Sequence, residues 1–133
     1  MVMTTELTAL GWTLVLALVQ IFLHAGARNR ETGLEYNAGP RDAAGPPEGA
    51  VTGRLRRARD NLFETLPLFA AAVLIAHAAG RESTTTAWAA WGYLAARVVY
   101  VPLYAFGVPK VRSLAWGVGL LALIAYLWVI LKP

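Results

Sequence analysis

Cysteine is absent from the 133-residue sequence. Its absence excludes a disulfide framework and a thiol nucleophile, and it leaves the redox compartment unreadable. Histidine is nearly missing too: His24 and His77 stand far apart, without metal-ligand spacing, so no metal site is expected. Charge is scarce. Asp, Glu, Lys and Arg make up 15% of the chain, against about 25% in an ordinary soluble domain. Apolar residues fill the deficit, at 57% with a mean hydropathy of +0.49. Apolar excess gathered in several long runs implies membrane spans rather than a larger core. The N-terminus carries Glu6 in place of a basic region, and no small-residue cleavage site follows, so the first apolar run is expected in the mature protein. The net charge of +4 would suggest a nucleic-acid partner in a soluble protein. Here the basic residues cluster at the edges of the apolar runs, and the positive-inside rule accounts for them.

The runs predict an all-α integral membrane bundle of one domain, residues 1–133, with four helices at about 7–27, 53–79, 86–106 and 114–131. The first run is long enough to cross a hydrocarbon core of about 30 Å. Gln20 and His24 lie four apart on one face of it, a spacing suited to interhelical hydrogen bonding. The only long polar segment, 28–52, contains Gly39-Pro40 and Gly45-Pro46-Pro47. These pairs break regular structure, leaving either a lid over a site or a solvated linker. Pro67 and Pro102 predict kinks in the second and third helices. Ser83 or Thr84 can cap the third helix, and Trp88 and Trp91 suit an aromatic belt. Residues 107–113, with Pro109, Lys110 and Arg112, read as a turn, with Ser113 capping the last helix. Of the twelve Lys and Arg, nine fall on the side of the 28–52 and 107–113 segments. That side is therefore expected to be cytoplasmic, the order up-down-up-down, and both termini on the non-cytoplasmic side.

Two polar stripes interrupt the apolar pattern. Arg57, Asn61 and Glu64 share one helical face at i, i+4 and i+7. Arg97, Tyr100 and Tyr104 share another, within a span. An ionised group at the centre of a spanning helix costs roughly 2.5–3.5 kcal/mol, so neither stripe should face lipid. With Arg28, Arg30 and Arg112 from the helix ends, the set offers several cations, one carboxylate and an amide toward one membrane face. A small zwitterionic peptide matches it, with carboxylates for the arginines and an ammonium for Glu64. An apolar second substrate would arrive from the bilayer.

The pattern Arg57-x3-Asn61-x2-Glu64-x2-Pro67, followed by Arg97-x2-Tyr100-x3-Tyr104 and Arg112-Ser113, resembles the MAPEG family, membrane-associated proteins in eicosanoid and glutathione metabolism. The family includes microsomal glutathione transferases, leukotriene C synthase and microsomal prostaglandin E synthase. The resemblance implies a homotrimer of four-helix subunits with glutathione held between neighbours at the cytoplasmic side. It implies that Arg57, Asn61, Glu64, Tyr100 and Tyr104 hold glutathione, with Arg97 in support and Arg28 or Arg30 gripping the peptide. It further implies that Arg112 stabilises the thiolate. Thr65 stands where some members carry tyrosine, and the turn before Arg112 differs in length from some mammalian members. The implied activity is a membrane-bound glutathione transferase or peroxidase acting on an apolar electrophile.

Two other classes compete. A non-catalytic member would keep the fold, bind lipid or a partner, and lose the thiolate arginine. A small multidrug transporter would want a carboxylate embedded in its first helix, whereas Glu6 lies at the start of that span. A purely structural reading has the polar residues staple helices, but nine convergent groups exceed what stapling needs.

Overall fold

Thr4 opens the first helix. Its side chain accepts a hydrogen bond from the Leu7 amide at 3.3 Å, satisfying one of the orphan donors of α1, Thr5–Thr32. In the computed structural model, which describes residues 2–133, α1 continues well past the apolar run that was expected to end near 27. Arg28 and Glu31, one turn apart, pair at 2.9 Å and favour this polar extension. Gly33, at φ +83°, then ends it. The following segment is not wholly irregular. It contains the short α2, Leu34–Ala38, and gives way to α3 at Ala50 rather than near Gly53.

The long helix α3 spans Ala50–Ala78, and α4 spans Thr84–Ala105. Pro67 and Pro102 lie inside them without ending either helix. Neither proline can donate to the carbonyl four residues back, Phe63 or Val98. Ser83 caps α4 in a reciprocal box with Thr86: the Ser83 amide donates to Thr86 Oγ1 at 2.7 Å, and the Thr86 amide donates to Ser83 Oγ at 3.3 Å. The last helix, α5, corrects the sequence reading. It spans Pro109–Leu131, so the stretch from Pro109 to Ser113 is helix and not turn. Proline suits the first helical position, where no donor is needed. Ser113 is no cap; its hydroxyl donates back to the Pro109 carbonyl at 3.0 Å.

Cross-helix contacts give the directions. Thr4 at the start of α1 donates to Glu82 just beyond α3, at 2.7 Å. Arg54 in the first turn of α3 reaches the Ala105 carbonyl at the end of α4, and Arg81, before α4, reaches Lys132 after α5. The four long helices therefore alternate in direction, with α4 packed most extensively on α5 and α1 on α3. Buried alanines, among them Ala9, Ala58, Ala76 and Ala90, allow close approach. Phe69 fills the centre, stacked on Tyr93 at 4.1 Å and edge-on to Tyr126 at 6.3 Å.

The outside is apolar as well. Phe22, Leu68, Trp88, Leu121 and Trp128 are all exposed, a surface that water would not tolerate at this extent. Three helices, α1, α3 and α5, are long and apolar enough to cross a membrane. The 22-residue α4 has the length, about 33 Å. Arg97 and its tryptophans and tyrosines dilute its apolar run.

Candidate functional site

The α3 stripe and the α4 stripe meet. Helical periodicity turns Arg57 and Asn61 toward the lower half of α4, whose direction opposes that of α3. Asn61 Oδ1 accepts from Arg97 Nη1 at 2.8 Å. Arg57 Nε donates to the Tyr104 hydroxyl at 3.2 Å. Arg97 is only 2% exposed, and its guanidinium lies 4.3 Å from the centre of the Tyr100 ring. Its Nε and Nη2 are buried without a hydrogen-bond partner among the described residues. An unpaired buried donor is costly, more so on a charged group.

Helix α5 completes the group. Arg112, one turn from its start, stacks over Tyr104 at 4.5 Å from the ring centre, while Arg57 stands at 5.8 Å from the same ring. Tyr100 packs edge-on to Tyr104 at 5.4 Å. Two guanidiniums thus converge on one phenol ring, held by its π face and hydroxyl. Asn61, Tyr100, Arg112, Ser113 and Trp116 line a cavity of about 150 Å³. A separate apolar groove of about 410 Å³, which shares no lining residue with the cavity, runs along α4 and α5, lined by residues including Ala96, Val99, Leu103, Val111 and Leu114. A larger depression, about 620 Å³, lies among residues 32–43 and includes none of these groups.

Glu64 shares the α3 stripe but touches nothing. It is exposed and makes no hydrogen bond or ion pair among the described residues. Arg97 and Tyr100 lie within electrostatic reach of it without contact.

A family profile described as the MAPEG family matches residues 9–132, nearly the whole chain. The chain belongs to the MAPEG family. No curated protein and no solved structure matches it. Family membership together with three helices able to span makes this MAPEG protein an integral membrane protein.

Arg28 stands apart from the MAPEG stripe residues. It donates to Glu31 at 2.9 Å and to the Pro46 carbonyl at 2.6 Å, so its guanidinium holds the 33–49 segment instead of turning to the cavity. Arg30 is exposed. The segment is fastened twice more: Glu31 accepts from the Gly49 amide at 2.9 Å and from Thr52 at 2.6 Å, and Glu48 bridges His24 at 2.7 Å and Arg56 at 2.8 Å. Hydrogen bonds from Arg56, then His24, hold the Glu48 carboxyl below the usual glutamate range. His24 therefore faces Glu48 and, at 3.2 Å, Arg59, while the Gln20 amide is buried without a partner among the described residues. Because a guanidinium only donates, the ring nitrogen facing Arg59 is an acceptor and the one facing Glu48 carries the proton.

Two further features of this site left no signal in the sequence. Thr65 Oγ1 pairs with the Tyr93 hydroxyl at 2.6 Å, behind Asn61 and Arg97. Trp116 lines the cavity from α5, where it reads as one more apolar residue of a span.

Proposed function

We propose that this MAPEG protein is a membrane-bound glutathione transferase or peroxidase that attacks apolar electrophiles. The observation that carries the reading is the set of unmet groups around Asn61. Among the described residues, Arg97 has two buried N–H groups without acceptors, Glu64 is a carboxylate without a cation, and Arg112 borders the cavity. A peptide with two carboxylates and one ammonium complements that set, group for group. Arg57, Asn61, Arg97, Tyr100 and Tyr104 would hold its polar ends and Glu64 its ammonium. The apolar groove between α4 and α5 suits a hydrophobic second substrate entering from the bilayer.

Glutathione supplies a thiol with an ordinary pKa of about 8.5, of which only the thiolate is nucleophilic. Arg112 stabilises negative charge at the sulfur, and lowering the pKa by one unit corresponds to about 1.4 kcal/mol. The Tyr104 ring beneath Arg112 limits the guanidinium's orientations and so preserves its direction. No side chain is required as a base, because the proton leaves to water when the thiolate forms.

The cavity of about 150 Å³ is smaller than ordinary ligand pockets, about 300–1,000 Å³. Arg57 and Glu64 also face outward from the subunit. We therefore take the working form to be a homotrimer in which a neighbour closes the site. In it, all four long helices span as one up-down-up-down bundle, with the site at the cytoplasmic face and both termini on the other side.

Calorimetric titration of the detergent-solubilised protein with glutathione tests the reading. Saturable binding, with conjugation of an apolar electrophile, is the expected result. Binding without turnover would favour a non-catalytic role, and no binding would overturn the proposal.

A further inference from the structure

The α4–α5 turn has an acceptor that its own backbone leaves free, and a residue of α3 takes it. Three backbone bonds close the end of α4: Phe106 N–H to Pro102 at 2.9 Å, Gly107 N–H to Tyr104 at 3.0 Å, and Val108 N–H to Leu103 at 2.9 Å. The last two form the paired closure that a left-handed glycine permits, and Gly107 sits at φ +72°. They satisfy the carbonyls of Leu103 and Tyr104 and leave that of Ala105 open. Arg54 Nη1 donates to the Ala105 oxygen at 3.4 Å. A cation at this place also meets the negative end of the α4 dipole.

Gly107 is bound to Arg54 in a second way. A Cβ on Gly107 would stand 3.0 Å from both the Arg54 guanidinium carbon and Nη1. The guanidinium therefore lies flat against the turn where the glycine leaves room. Five residues later comes Arg112, whose amide donates to the Val108 carbonyl at 3.3 Å in the first turn of α5. Before the turn comes Tyr104, which carries both Arg57 and Arg112 on its ring. Arg54 and Arg57 are i, i+3 on α3, so one helix face grips the turn at two points.

We propose that Arg54 is a positioning residue, which docks the α4–α5 turn onto α3 through the Ala105 carbonyl and the Gly107 surface and so sets the direction of Arg112. Its consequence for chemistry rests on the proposed function; the docking itself does not.

Hydrogen exchange of the ligand-free protein tests the docking alone. Arg54→Ala should speed exchange at residues 106–112, with the middle of α3 protected as in the wild type. Unchanged exchange there would overturn the proposal, whatever the protein binds. In the glutathione complex, Arg54→Ala should raise the bound thiol's pKa by about half to one unit, slowing conjugation about 3- to 10-fold at neutral pH. Arg54→Lys, which keeps the charge but lacks the planar guanidinium that lies against Gly107, should do the same. A raised pKa in Arg54→Ala with a normal Arg54→Lys would mean that Arg54 acts by charge, and would sink the positioning role. Should Arg54→Ala not fold, Arg54→Gln, a shorter neutral donor, gives the same two readouts. If the wild type binds no glutathione, the functional reading falls and the exchange result decides the docking by itself.

Discussion

Glu64→Gln separates ligand binding from folding more sharply than any other change at this site. The carboxylate is exposed on its subunit and has no partner among the described residues, so the fold loses little with its charge. Substitutions at such positions usually change stability by no more than about 0.5 kcal/mol. The ligand, by contrast, loses a charge-assisted hydrogen bond to its ammonium, worth about 1.5–3 kcal/mol. That range corresponds to an affinity lower by about 10- to 160-fold. Titration calorimetry and a melting curve on the same preparation give both numbers. A fall in melting temperature with glutathione affinity unchanged would refute the reasoning. It would show that Glu64 is a staple, its cation lying on a neighbouring subunit.

Three further outcomes follow from named contacts. Arg112→Ala should raise the bound thiol's pKa and slow conjugation while changing affinity less below that pKa; an unchanged thiolate absorbance titration would remove Arg112 from the chemistry. Thr65→Val leaves the buried Tyr93 hydroxyl unpaired, at a cost of about 1–3 kcal/mol in melting experiments. Tyr93→Phe on that background should recover much of the loss, and failure to do so would show that the hydroxyl pair is not the cause. Glu48 has a folded pKa below its unfolded one, so its contribution is present above about pH 4.5 and disappears as pH falls through the folded value. Glu48→Gln should therefore flatten the acid-side fall in melting temperature, and equal falls in both proteins would contradict this.

The helices were legible because long apolar runs have few alternatives. Their ends were less so. Hydropathy reports where lipid begins, not where helix stops, which is why α1 passes through Arg28 and Glu31 to Gly33. Pro109 was ambiguous in the same way: the residue that punctuates a turn is also the one that best begins a helix. Only its backbone surroundings decide between the two. The stripes on α3 and α4 were legible because helical periodicity alone places i, i+4 and i+7 on one face. What they face was not. Arg28 finds the Pro46 carbonyl, Arg54 finds that of Ala105, and Thr65 finds Tyr93. A backbone acceptor leaves no mark in a sequence, and a cross-helix pair depends on a register that no single helix specifies.

The proposed reading, that the polar groups serve a ligand and do not merely staple helices, draws support from their charge balance. Staples come in matched pairs, as Arg56 and Glu48 do. Around Tyr104 and Asn61, three guanidiniums of the stripes and α5, Arg57, Arg97 and Arg112, gather without an ion pair among the described residues, and Glu64, the carboxylate of the same stripe, touches none of them. The excess is two positive charges, beside or within apolar spans, where repulsion is poorly screened. Tyrosine faces and one amide ease it without cancelling it. A glutathione thiolate carries two carboxylates, one ionised sulfur and one ammonium, a net of two negative charges. It offers its single cation to a site with a single carboxylate. A neutral lipid would leave the excess standing, and so would a cationic drug, which bears against the transporter reading. The Nε and Nη2 of Arg97 say the same at the level of single atoms, because they find no acceptor among the described residues.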